Sequence, residues 1–157
     1  MNTPETRRKD LLDLVTLTPL MERSSGRPEI AIGLIDGPVL TSHPDLAGQQ
    51  IRQVGGATGG SCAWNGSVAC THGTFVAGSL AARRGSAALA ICPGCTLMVR
   101  PIFPEHASSE AAQAPSATPE ELAGAIVDSV NAGVRLMNLS AALTHSSSRG
   151  EQALRQA

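Results

Sequence analysis

Asp36 and His72 are the two side chains of this chain whose types and setting are best suited to joint chemistry. Asp36 closes the apolar run Ile30-Ala31-Ile32-Gly33-Leu34-Ile35, which reads as a strand covered on both faces with a carboxylate at its C-terminal end. His72 belongs to Thr71-His72-Gly73-Thr74-Phe75-Val76-Ala77-Gly78, which reads as a tight turn that places an imidazole at a helix start. A carboxylate that accepts one ring N–H fixes the tautomer, and the other ring nitrogen can then take a proton from a hydroxyl. These are two members of a catalytic triad. A nucleophilic serine in a suitable context is not found in the 157 residues, and no Gly-x-Ser-x-Gly elbow substitutes for it.

The elements that would position this pair alternate between strand and helix. A polar-start helix is expected from Pro4 to about Leu17, then a loop through Pro19, Ser24-Ser25-Gly26 and Pro28. The first strand ends at Gly37-Pro38, and a short second strand is expected over Gln50 to Val54, followed by a glycine-rich loop to Gly66. Val76, Ala77, Leu80 and Ala81 share one face of a helix running from His72 to Arg84. Thr96 to Phe103 reads as a strand, and Ala107 to Ala117 as a loop. Thr118, Pro119 and Glu121 form a capping box at the start of a helix buried through Leu122, Ile126 and Val130, with Gly133 at its C′ position. Val134 to Leu139 is the next strand, His145 to Ser148 a solvated loop, and Glu151 to Ala157 the opening of another helix. This alternation implies a doubly wound, mostly parallel α/β sheet with right-handed crossovers. In such a sheet, sites form outside the carboxyl ends of the strands, where Asp36 stands. An acidic residue there also serves other doubly wound proteins for phosphoryl transfer, for magnesium or as a turn cap. Its pairing with His72 singles it out.

Composition narrows the function classes. A hydrophobic fraction of 42% supports one core, and aromatics at 2% leave it to Val, Ile, Leu and Ala. A net charge of −1 with thinly spread Lys and Arg gives no footprint for nucleic acid. No apolar run approaches the ~20 residues of a membrane-spanning helix. Leu11 to Leu20 is too interrupted for a secretory segment, so a soluble, cytoplasmic chain is expected. The cysteines fall in two local pairs, Cys62 with Cys70 and Cys92 with Cys95, and leave export open. Local disulfides and free thiols are both compatible with this spacing, whereas it is a poor match to a zinc ribbon. A phosphate-binding reading lacks its Gly-x-Gly-x-x-Gly or Walker loop.

The motifs resemble those of the subtilisin-like serine proteases, or subtilases. Asp36-Gly37 is similar to a shortened Asp-Ser/Thr-Gly, His43-Pro44-Asp45-Leu46 to His-Pro-x-Leu, and His72 to Gly78 to His-Gly-Thr-x-Val-Ala-Gly. Ala90-Ile91-Cys92-Pro93 stands where the family has Gly-Val-Ala-Pro, and Asn138-Leu139-Ser140 resembles the Asn-x-Ser strand that pairs with bound peptide. Within the family the likeness is to proteases that mature cyanobactin-type ribosomal peptides. It rests on Asp36-Gly37-Pro38-Val39, Ser25-Gly26-Arg27-Pro28, the Cys-Pro-x-Cys segment and Arg100-Pro101-Ile102-Phe103.

The resemblance implies a serine-type endopeptidase of subtilisin-like α/β fold, with a lead-in over residues 1–28 and a partial catalytic domain over 29–157 that stops before the C-terminal strands. Asp36 and His72 would be catalytic, and Ser140, Ala141 and Ala142 would line the non-prime side of the cleft. The implied partner is a peptide or protein substrate, with the missing half supplied by another chain, a truncated gene or a partial record as the alternatives. No cofactor is implied. Calcium is common in the family, and Asp45 matches one ligand position, but the other ligands are not recognisable, so no metal is assigned. Phe75 replaces a frequent second histidine and is expected to pack. Ala142 replaces a glycine, and its methyl would crowd the S1 entrance. The Gly-Thr-Ser nucleophile motif and the oxyanion asparagine are not among these residues, so the 157 residues alone are expected to be inactive. The competing class is a non-catalytic remnant that binds peptide or a partner chain.

Overall fold

A computed structural model of the chain describes residues 11–55, 60–64, 66–105, 115–141 and 146–157. In chain order the elements are α1 (Thr18–Arg23), β1 (Ala31–Asp36), β2 (Ile51–Gln53), α2 (Val68–Ala81), β3 (Thr96–Pro101), α3 (Pro119–Asn131), β4 (Leu136–Leu139) and α4 (Ser148–Gln156). The four strands form one sheet in the order β2-β3-β1-β4, and every pairing is parallel. This is the α/β sheet the alternating pattern implies.

Both faces of the sheet are covered, which is why β1 has no polar residue before Asp36. Successive side chains of a strand point to opposite faces. Ile32 and Leu34 pack with Ala77 and Ala81 of α2 and with Leu97 and Val99 of β3. Ile35 packs on the other face with Leu122, Ala123, Ala125 and Ile126 of α3 and Ala153 of α4. Small residues on the helices offset the shortage of aromatics by letting them lie close to the strands. Gly33 does the same on the α3 side, where an added Cβ would come within 2.8 Å of Val134 Cγ1. Arg100, buried in β3, donates through Nε to Asp128 Oδ2 of α3 at 2.9 Å and through Nη1 to its neighbour's carbonyl at Pro101.

The helix ends follow their sequence signals in one case and depart from them in three. The capping box of α3 is complete: Thr118 Oγ1 accepts from Glu121 N, and the Glu121 carboxylate accepts from Thr118 N. Gly133 beyond the end takes φ +84°, a conformation glycine adopts without a Cβ penalty. Ser129 replaces Val130 in the buried stripe of α3, its hydroxyl donating to Ala125 O.

The expected single N-terminal helix is instead interrupted. Residues 11–14 are helical, Thr16 turns to φ 58°, and a second short helix, α1, runs through Pro19. Pro19 was expected to mark a loop, but proline's fixed φ suits a first helical turn. The part of the expected helix before Leu11 lies outside the described residues. Helix α2 begins at Val68, four residues before His72, because Ser67 Oγ caps it by accepting from Cys70 N. His72 is therefore in the second turn and not at the helix start. Ser147, expected in a solvated loop, likewise caps α4, accepting from Gly150 N. Most of the loop expected after Phe103 lies outside the described residues, and so does His145.

Ile126 is 1% exposed and joins α3 to the sheet. Ile126→Ala should lower the unfolding free energy by about 2–5 kcal/mol, as large-to-small core changes do. Urea denaturation followed by circular dichroism measures it.

Candidate active site

The site forms where β1 ends and α2 passes over it. Asp36 is the last residue of β1 and is 1% exposed. Its neighbours on the flanking strands are Pro101 of β3, by register, and the segment after β4, where Ser140 N donates to Ile35 O at 3.3 Å. The backbone turns at once, and Gly37 N donates to Asp36 Oδ1 at 2.6 Å, which fixes the carboxylate's orientation.

His72 approaches from α2. Its Nδ1 is 2.8 Å from Asp36 Oδ1, and its side chain is 53% exposed against 1% for the aspartate. A carboxylate oxygen accepts, so this contact places the ring proton on Nδ1 and leaves the Nε2 lone pair free. Asp36 Oδ2 is buried without a hydrogen-bond partner among the described residues.

Two glycines make the approach possible. A Cβ on Gly73 would lie 2.6 Å from the carbonyl oxygens of both Gly37 and Pro38, and a Cβ on Gly37 would collide with the Ala69 carbonyl. The glycine after His72 and the glycine after Asp36 thus press helix backbone onto turn backbone. Thr74 adds a strap, its Oγ1 accepting from Leu40 N at 2.9 Å.

A disulfide holds the start of α2. Cys62 is bonded to Cys70, with Cα atoms 5.6 Å apart, and Cys70 is two residues before His72. Glu105 clamps the same loop, its carboxylate accepting from Ala63 N at 2.8 Å and Trp64 N at 3.4 Å. The bridge engages two of the four thiols that a zinc site would have needed, although Glu105 brings a carboxylate oxygen close to both sulfurs. Cys92 and Cys95 are free thiols at the two ends of a turn closed by Cys95 N donating to Cys92 O. Burial, followed by the Cys95 thiol beside it, pushes Cys92 up to about 12.

The residues expected to line a peptide cleft are only partly among the described ones. Ser140 and Ala141 continue the direction of β4 beside the Asp36 end of β1, and Asn138 Nδ2 donates to Ser140 Oγ at 3.0 Å. Ala142 lies outside the described residues. The structure therefore brings Asp36 and His72 into contact and sets Ser140 near the same strand ends. One expectation fails: Phe75 does not pack into the core but is 70% exposed. Apolar residues at helical spacing suggest a core face, but Phe75 and Val76 point to different sides of α2, and only Val76 packs against the buried cluster. The roles of Ser67 and Glu105 have no sequence motif, because each depends on a loop brought close by the fold.

Comparison with known proteins bears on this geometry. The sequence model of the subtilase family matches residues 27–157. Among solved structures, the prenylagaramide maturation protease PagA superposes with a TM-score of 0.70 at 25% identity, covering 88% of this chain and 46% of its own. The S218A mutant of the PatA protease domain gives 0.69 at 24% identity, covering 83% and 46%. The psychrophilic subtilisin-like protease Apa1 from the Antarctic psychrotroph Pseudoalteromonas sp. AS-11 gives 0.63 at 24% identity, covering 82% and 28%. The likeness to the last two is one of fold. The chain spans less than half the length of each of the three. No curated protein sequence matches the chain significantly.

Gly73→Ala should force the α2 backbone away from the Gly37 turn, at a cost of about 1–3 kcal/mol in stability, the usual size for overpacking. Thermal denaturation measures the cost, and a crystal structure of the variant should show His72 Nδ1 beyond hydrogen-bond range of Asp36. Because the raised value keeps Cys92 in its thiol form, its alkylation by iodoacetamide near neutral pH should be far slower than that of an ordinary exposed cysteine and should still be climbing above about pH 10. Quenched time points read by mass spectrometry check this.

Proposed function

The chain belongs to the subtilase family, and from that membership we propose that it carries the base and the orienting carboxylate of a serine-type endopeptidase acting in the maturation of a ribosomally made peptide. The observation that carries the reading is the 2.8 Å contact from the Nδ1 of a half-exposed His72 to a buried Asp36. A histidine held by a core aspartate for structural reasons alone would not need to keep half of its side chain in solvent.

The chemistry follows from these atoms. A serine hydroxyl supplied from outside these residues would lose its proton to His72 Nε2 as its oxygen bonds to the scissile carbonyl carbon. Asp36, accepting from Nδ1, keeps Nε2 directed outward and stabilises the imidazolium that forms. His72 Nε2 then gives the proton to the leaving amine nitrogen as the C–N bond breaks; it next takes a proton from a water whose oxygen bonds to the acyl carbon, and passes that proton to the serine oxygen as the ester C–O bond breaks. The extended peptide would lie beside Ser140 and Ala141 as an added strand. The likeness to a prenylagaramide maturation protease supports a peptide precursor as the substrate class.

A second reading has its own support. Among the described residues β4 is an outer strand, and it exposes Leu136 at 62% and Leu139. An apolar outer strand suits a further strand from the rest of a protease or from a partner chain, and a non-catalytic remnant would keep that use.

A fluorophosphonate probe separates the two. The 157-residue polypeptide alone should not be labelled, since it brings a base without nucleophile or oxyanion donors, and the donors alone are worth ~3–4 kcal/mol of barrier. A polypeptide that adds the rest of a subtilase domain should be labelled on one serine, with labelling lost in His72→Ala. Absence of labelling in that longer protein would leave only the binding reading.

A further inference from the structure

Cys62 and Cys70 close a loop at the start of α2, and Glu105 reaches that loop from the segment after β3. One ligand atom from each, the two sulfurs and a carboxylate oxygen, lie within 4.8 Å of one another. Around a tetrahedral zinc ion, with bonds of about 2.3 Å to sulfur and about 2.1 Å to oxygen, such atoms stand roughly 3.5–3.8 Å apart. For Glu105 the difference is within reach of side-chain rotation. For the cysteines, a Cα separation of 5.6 Å leaves room for sulfurs joined through an ion instead of to each other. Among the described residues no comparable group forms around Cys92 and Cys95.

The surroundings already orient these ligands. Glu105 accepts from Ala63 N at 2.8 Å on one oxygen and from Trp64 N at 3.4 Å on the other, and each oxygen keeps a lone pair for a metal. Thr74 Oγ1 donates to Cys70 Sγ at 3.8 Å, since a bridged sulfur has no proton to give. Cys70 is buried, whereas Cys62 and Glu105 are half-buried, so an ion can enter from the loop side. Cys70 stands in the first turn of α2. Two thiolates and a carboxylate around a divalent ion leave a net negative charge there, which suits the positive end of a helix.

We propose that when the Cys62–Cys70 bond is reduced, Cys62, Cys70 and Glu105 bind one zinc-like divalent ion, with water in the fourth position. A dithiol opens the bridge by exchange: its own two sulfurs become bonded to each other, and Cys62 and Cys70 each take up a proton. The ion then displaces those two protons to solvent as two metal–sulfur bonds form. The restraint on the start of α2 passes from a covalent bond to a metal, and so persists in a reducing medium where the bridge does not. The ligands are the same whether the chain is part of a protease or a binding remnant.

Cobalt(II) titration of the 157-residue chain, reduced with a water-soluble phosphine and handled without oxygen, tests this. The reduced chain should take up one equivalent, with the thiolate-to-metal absorption and the visible bands of a tetrahedral ion, and zinc should displace it. The oxidised chain should show neither. Cys62→Ser should weaken binding at least a hundredfold. Glu105→Gln, which keeps an oxygen to accept from Ala63 N, should weaken it at least tenfold while the thiolate absorption remains. Alkylation of the reduced parent chain, read by mass spectrometry, locates the ion without any substitution: zinc should slow modification of Cys62 and Cys70 and leave that of Cys92 unchanged. No uptake by the reduced chain, or undiminished uptake by Cys62→Ser, would overturn the proposal. So would zinc protection of Cys92 and Cys95 in place of the other pair, or equal affinity in Glu105→Gln, which would reduce the site to two thiols.

Discussion

The close approach of α2 to the end of β1 is the constraint on which the site depends. Helix and turn backbones meet at a distance that leaves no room for a Cβ on Gly37 or Gly73. At an ordinary helix-to-strand separation the imidazole of His72 would not reach a carboxylate buried at a strand end. The same approach buries Asp36 almost completely while its partner stays half open. Burial of that kind is costly for a carboxylate unless its acceptors are filled. Gly37 N and His72 Nδ1 both serve Oδ1, and Oδ2 finds no donor among the described residues.

Everything else in the fold holds that approach in place. The two-sided core fixes β1 from both faces, so its end cannot shift toward or away from α2 without disturbing one cluster or the other. The Cys62–Cys70 bridge and the Glu105 clamp hold the start of α2, and the Thr74 strap ties its middle to the loop after β1. A bridge closing so short a loop stabilises by roughly 2–3 kcal/mol on chain-entropy grounds. Cys70 lies two residues before His72, so that restraint falls on the imidazole. The free thiols of Cys92 and Cys95 serve a different contact, packing against Gly26, where an added Cβ would collide with Cys95 Sγ.

Much of this was legible in the sequence, for physical reasons that differ by element. β1 and α3 were readable because their signals are local: an unbroken apolar run, and a capping box with a glycine stop. Asp36 and His72 were readable as a pair because motif order carried them, whereas spacing alone left a bridge and free thiols equally open for both cysteine pairs, and only Cys62 and Cys70 are bonded. The start of α2 is not legible in the sequence because its cap, Ser67, is an ordinary serine in a polar loop. Pro19 signals a break in the sequence because proline ends helices more visibly than it begins them. The exposure of Phe75 was not legible at all, since residues packed on a helix from outside its own sequence decide which of its faces is covered. The glycine contacts were hidden for the same reason.

The central claim is that Asp36 holds His72 in the Nδ1–H tautomer with Nε2 free to act as base. Nitrogen-15 NMR of histidine-labelled protein tests it most directly, near pH 8, where an unperturbed imidazole is largely neutral. The account predicts a protonated Nδ1 with a proton shifted far downfield by its short bond to a carboxylate and an unprotonated Nε2, both features disappearing in Asp36→Ala. An Nε2–H tautomer, or a His72 spectrum unchanged by Asp36→Ala, would contradict it.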